Sequence, residues 1–123
     1  MSRNAIILNP SSCHGRAKRK WPQIKRYLKE LNYEFDFYET RKRMDEKRVT
    51  RKILEKGCDE IVVVGGDESI NYVADEIMKF YSSSGNIIDK ARDSSIVLNL
   101  IALGTGNDTK RTWRVYSKKR EKM

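Results

Sequence analysis

Ile61-Val62-Val63-Val64-Gly65-Gly66-Asp67-Glu68-Ser69-Ile70-Asn71 is the stretch from which the fold is read. The unbroken β-branched run predicts a central strand covered on both faces. The glycine pair lets the backbone turn sharply and expose its N–H groups. A polar residue next in line suits the start of a helix, whose N-terminus attracts anions. The pattern recurs where Ile96 to Leu103 leads into Gly104-Thr105-Gly106-Asn107-Asp108. Two such turns in one small domain imply a site for nucleotide phosphates.

Outward from this stretch, the chain alternates. Ala5-Ile6-Ile7-Leu8 is a short apolar run closed by the turn signal Asn9-Pro10-Ser11-Ser12. Trp21, Ile24, Tyr27, Leu28 and Leu31 follow the three-and-four spacing of an amphipathic helix over 17–31. Tyr33, Phe35 and Phe37 alternate with Glu34 and Asp36 as in a half-buried strand that Thr40 ends. Val49, Ile53 and Leu54 mark a second helix with Gly57 as its C-terminal cap. Ile70, Val73, Ile77 and Phe80 or Tyr81 mark a third, broken by Ser82-Ser83-Ser84-Gly85-Asn86. The expected fold is a three-layer α/β/α sandwich, with a mostly parallel sheet whose strands alternate with helices. No internal repeat or linker divides residues 1–123, so a single domain is expected. In such sheets ligands sit beyond the carboxyl ends of the strands. Here those ends carry Asn9-Pro10-Ser11, Thr40, Gly65-Gly66-Asp67 and Gly104-Thr105-Gly106.

The composition agrees with a soluble globular domain: 38% of the 123 residues are hydrophobic and 35% are charged. No run approaches the roughly 20 apolar residues of a membrane span. The N-terminus lacks the layout of a signal peptide. Cys13 and Cys58 form no C-x-x-C pair, which argues against a disulfide framework or a zinc site and for a cytoplasmic setting. Residues 1–56 carry 16 Lys/Arg against 7 Asp/Glu, residues 57–109 carry 3 against 9, and residues 110–123 carry 7 against 1. A basic first half and tail around an acidic middle either attract anionic partners, whether a nucleotide, a nucleic acid or the inner surface of a membrane, or are solvated helix faces. No motif marks a specific nucleic-acid partner, and the tail from Lys118 is expected to fray.

Neither glycine segment is a G-x-x-x-x-G-K-[ST] loop or a G-x-G-x-x-G fingerprint. Taken together with the first two strand ends, however, they resemble the diacylglycerol kinase catalytic-domain family. Its N-P-x-S-G segment is matched by Asn9-Pro10-Ser11-Ser12-Cys13, and its threonine after the second strand by Thr40. Its G-G-D-G-T-I-N segment is matched by Gly65-Gly66-Asp67-Glu68-Ser69-Ile70-Asn71, and its L-G-T-x-N-D segment by Leu103-Gly104-Thr105-Gly106-Asn107-Asp108. The match runs from about Asn4 to Arg111.

The resemblance implies Mg-ATP as cofactor and a diacylglycerol-like lipid as acceptor of the γ-phosphoryl group. It implies nucleotide contacts at Asn9, Thr40, Gly65, Gly66, Asp67, Glu68, Ser69, Ile70, Asn71, Gly104, Thr105 and Asn107. Asp67 is the candidate catalytic carboxylate, either holding Mg²⁺ through water or accepting the proton of the attacking hydroxyl, with a plain helix N-cap as its alternative. Asp108 is a candidate metal ligand. Glu68 stands where the family has glycine, Ser69 where it has threonine, and Cys13 where its first loop has glycine. A glutamate at position 68 is unfavourable if that position needs a positive φ or a close phosphate approach. Family members continue into a β domain that closes over the nucleotide. Residues 1–123 correspond to the nucleotide-binding half, and half a cleft is expected to catalyse weakly or not at all. A homodimer or a complementing C-terminal domain would complete it. The alternative is a degenerate, non-catalytic module that binds nucleotide or assembles a partner.

Overall fold

A computed structural model describes residues 3–82, 96–102 and 110–116. The element order is β1 (Asn4–Leu8), α1 (Ser12–Glu30), β2 (Asp36–Glu39), α2 (Asp45–Lys56), β3 (Glu60–Gly65), α3 (Asp67–Ser82), β4 (Ile96–Ala102) and β5 (Lys110–Tyr116). They form one five-stranded sheet in the order β2-β1-β3-β4-β5. The first four strands are parallel, and β5 runs antiparallel along β4. The expected three-layer, mostly parallel architecture is the observed one. β5 is an element that the reading of 110–123 as a basic tail did not contain.

Side-chain parity builds the layers, because successive residues of a strand face opposite ways. Ala5 and Ile7 of β1, Ile61 and Val63 of β3, and Ile96, Leu98 and Leu100 of β4 pack with α2 and α3 through Val49, Ile53, Ile70, Val73 and Ile77. Ile6, Leu8, Val62 and Val64 face the other way, onto Ala17, Trp21, Ile24 and Leu28 of α1. Each fully buried aliphatic side chain stabilises the fold by about 1.5–3 kcal/mol, so the two faces of β1 and β3 hold most of the frame. Lys47 with Asp75 at 2.7 Å and Arg51 with Glu76 at 2.8 Å pin α2 to α3.

The boundaries differ from the sequence reading in two places. β2 spans Asp36–Glu39 rather than starting near Tyr33, because Tyr33 and Phe35 pack against the α1 layer before the chain joins the sheet. Within β2, Phe37 stacks on Trp21 at 4.8 Å between ring centroids, while Tyr38 packs against the opposite layer. Tyr27 and Leu31, expected on the buried face of α1, are 61% and 58% exposed. Trp21, Ile24 and Leu28 already fill the stripe over the sheet, and the flank beyond it is open among the described residues.

β1 connects outward to β2 through α1, and β3 connects the opposite way to β4 through α3. The direction of winding therefore reverses between β1 and β3, and their carboxyl ends diverge into a crevice at this switch point.

Candidate functional site

The crevice is a cleft of about 530 Å³ lined by residues 9–13, 40–43 and 66–69. Three chain segments build it, each arriving from the end of a parallel strand. β1 runs into Asn9, whose N–H donates to the Val64 carbonyl at 3.3 Å and so ties the first loop to β3. β2 runs into Thr40, 4% exposed, whose N–H donates to the Leu8 carbonyl at 3.0 Å. β3 runs through Gly65 and Gly66 directly into α3. Asn9, Thr40, Gly66, Asp67, Glu68 and Ser69 are thus gathered at one rim. Gly104, Thr105, Asn107 and Asp108 lie outside the described residues. β4 ends with Ala102 beside Gly65 and β5 begins with Lys110 opposite Ile101, so both flanks of that segment belong to the same rim.

Hydrogen bonding divides the rim into groups committed inward and groups facing the cleft. Ser69, 2% exposed, donates its hydroxyl to Glu46 Oε2 at 2.6 Å. Asn9 Nδ2 donates to the same oxygen at 2.8 Å and to Ser69 Oγ at 3.2 Å. Asn9 Oδ1 accepts the Ser11 N–H at 3.1 Å. The Thr40 hydroxyl donates to the Leu8 carbonyl over 3.5 Å. Ile70 is buried against the core rather than lining the cleft, and Asn71 lies exposed on α3. The groups that face the cleft are the exposed Asp67 and Glu68, the cations Arg41, Lys42 and Arg43, and the first-turn N–H groups of α3, which a helix cannot satisfy internally.

The departures at Cys13 and Glu68 resolve differently from their sequence expectation. Glu68 lies in the first turn of α3, and the positive-φ residues other than glycine among those described are Cys13, His14, Asn32 and Met44. The conformation that favours glycine therefore falls on position 13, where Cys13 has φ 56° and ψ 45° and is followed by His14 and Gly15, also at positive φ. Glu68 pairs with Arg43 across the cleft at 3.6 Å and accepts the Tyr72 hydroxyl at 3.1 Å. With both partners more than two-thirds exposed, this ion pair is worth little. Cys13 and Cys58 are free thiols.

Glu46 and Asp45 were not legible as site residues. Asp45, buried at the start of α2, accepts the Arg41 N–H at 2.9 Å and both Nε and an Nη of Arg48 at 2.7 and 3.0 Å. The Arg48 hydrogen bond, reinforced by the Arg41 N–H and opposed by burial, lowers its carboxyl to about 2. Asp45 thereby sets the path of the Arg41–Arg43 loop. The described residues contain no group of three or more His, Cys, Asp or Glu side chains arranged to hold a metal. Among the described residues, no helix is long and apolar enough to cross a membrane.

The family model described as the diacylglycerol kinase catalytic domain matches residues 3–123. No match was found among curated proteins.

Proposed function

The chain belongs to the diacylglycerol kinase catalytic-domain family, and from that premise we propose that it is the ATP-binding lobe of a lipid kinase, moving the γ-phosphoryl group of ATP to a lipid hydroxyl such as that of diacylglycerol. One observation carries this reading: the rim where Asn9, Thr40 and Gly66 meet at the switch point, lined by Arg41, Lys42 and Arg43 and by the start of α3. Phosphates have no use there for the Asn9, Thr40 and Ser69 side chains, whose donors are spent within the protein. They take instead the N–H groups of the first turn of α3 and the charge of the Arg41–Arg43 loop. Gly66 offers a backbone without a side chain where the triphosphate passes closest, and Gly104, Thr105 and Asn107 supply the contact after β4.

In the reaction, the lipid hydroxyl oxygen bonds to the γ-phosphorus as the bond to the bridging oxygen of ADP breaks. Asp67, exposed at the rim, would either take the hydroxyl proton or, with that proton leaving to water, hold Mg²⁺ through water with Asp108 as a second ligand. Mg²⁺ held there with ATP would supply positive charge that offsets the charge developing on the phosphates. A second lobe, on this polypeptide or another, closes over the nucleotide and carries the lipid pocket. Calorimetric titration with Mg-ATP and Mg-ADP tests the reading. Saturable binding is expected, and absence of heat at millimolar nucleotide removes it.

Glu68 favours a second reading, a nucleotide-binding module without catalysis, because it brings a carboxylate to the phosphate rim and engages Arg43 there. Under this reading Glu68→Gly tightens Mg-ATP binding while the purified chain makes no phosphatidic acid from diacylglycerol vesicles. Turnover by the chain excludes it.

A further inference from the structure

Glu46 is 1% exposed, yet no Lys or Arg pairs with it among the described residues. Its Oε2 receives the Asn9 amide at 2.8 Å and the Ser69 hydroxyl at 2.6 Å, and its Oε1 is buried with no hydrogen-bond partner among the described residues. The Asn9 amide also reaches Ser69 Oγ at 3.2 Å, and Ser12 Oγ stands 3.4 Å from that same oxygen. One carboxylate on α2 therefore gathers the loop after β1 and the first turn of α3. Burying a carboxylate against neutral donors is costly, and replacing Glu46, Asn9 and Ser69 together by apolar residues of similar shape would stabilise the fold as well or better. A purely structural account leaves this arrangement unexplained.

We propose that Glu46 is a positioning residue of the nucleotide cleft: by locking Asn9 and Ser69 from below, it fixes the 9–12 loop and the start of α3 in the arrangement that receives phosphate. This rests on the proposed nucleotide site. The two residues it holds touch opposite walls of the cleft, Asn9 at the end of β1 and Ser69 in the first turn of α3. The Ser11 N–H is bound to Asn9 Oδ1, so the orientation of the Asn9 amide is carried into the loop backbone. Ser69 directs its proton to Glu46, so it serves as part of the floor and not as a phosphate donor.

The test compares Glu46→Ala and Glu46→Gln with the unsubstituted chain by calorimetric titration with Mg-ATP and by amide NMR of the free proteins. In Glu46→Gln the amide oxygen accepts both hydrogen bonds, and the NH₂ takes the place of the unpartnered Oε1. Glu46→Ala is expected to weaken Mg-ATP binding about 10-fold, with shifted and faster-exchanging amides at Asn9, Ser11, Ser12 and 66–70, while Glu46→Gln stays within about threefold in affinity. Equal affinity in Glu46→Ala and the unsubstituted chain overturns the proposal, as does a Glu46→Gln as weak as Glu46→Ala. If Glu46→Ala does not fold, Ser69→Ala, which removes one of the two hydrogen bonds, is read the same way. If the unsubstituted chain binds no Mg-ATP, the nucleotide reading fails by itself. The amide spectra then still decide whether Glu46 orders the loop, and unchanged amides at Asn9, Ser11 and Ser12 overturn that.

Discussion

A Cβ added to Gly65 would sit 2.9 Å from the Ser12 hydroxyl oxygen, and 3.3 Å from that of Ser69. The last residue of β3 is therefore glycine because the left-handed turn that leads into the regular part of α1 and the first turn of α3 both press on it. Gly65→Ala should destabilise the chain by about 1–3 kcal/mol. Ser12→Ala in the same molecule should recover part of the loss, because the closest oxygen is removed while Ser12 Cβ at 3.4 Å stays. Urea unfolding of the two single variants and the double variant measures the coupling. Strict additivity would show that the contact is not the cause.

Gly66 gives the opposite expectation. Its φ is not positive, and an added Cβ would meet only Cys13 Sγ, at an ordinary 3.6 Å. Gly66→Ala should leave stability within about 0.5 kcal/mol and weaken Mg-ATP binding. A stable variant with undiminished affinity would show that phosphate does not approach this residue.

Acid should loosen the Arg41–Arg43 loop. The Asp45 carboxyl is lowered from 3.8 to about 2, so its ionised form is favoured by folding. Its contribution is complete above pH 4 and is lost as the pH falls from about 4 to about 2. With Arg48 half-exposed and screened, that contribution is on the order of 1–2 kcal/mol. Asp45→Asn should lower stability at pH 7 by about this amount and flatten the profile between pH 4 and 2, as followed by chemical denaturation. A variant with an unaltered acid limb would contradict the assignment.

His14 is exposed at φ 58°, in the left-handed region that costs a side chain about 1–2 kcal/mol. His14→Gly should raise stability by about 1 kcal/mol. Cys13→Gly should gain less, because the Cys13 side chain packs against the α1-side core and its loss offsets the relief. Thermal unfolding ranks the two, and the reverse order would refute this reading of the turn.

Burial, and then the nearby Asp59, pushes the Cys58 thiol up to about 12. In native protein at pH 8 it should resist iodoacetamide for as long as the unfolded chain takes to react fully. Intact-mass analysis reads the outcome, and rapid native labelling at Cys58 would show that it is not enclosed.

The frame was legible because its signals are local. Ile61 to Val64 is apolar on both parities, so a strand with two covered faces follows without tertiary knowledge. Thr40 and Gly65-Gly66 were legible as a rim because small polar residues closed successive apolar runs. Glu46 was not, since a glutamate in a first helical turn after Arg41-Lys42-Arg43 reads as a surface residue favoured by the helix dipole. Only its meeting with Asn9 and Ser69, distant in the chain, shows its place. β5 was hidden by charge. Thr112-Trp113-Arg114-Val115-Tyr116 is rich in strand-forming residues, but the surrounding lysines and arginines read as a tail.

The antiparallel course of β5 has a mechanical consequence. Tyr116 pairs with Ile96, at the end of the sheet remote from Gly65, roughly 20 Å from it at the rise of a strand. A covering lobe tethered through β5 would pivot from behind the sheet, so a few degrees of rotation there would become ångströms of travel above the nucleotide.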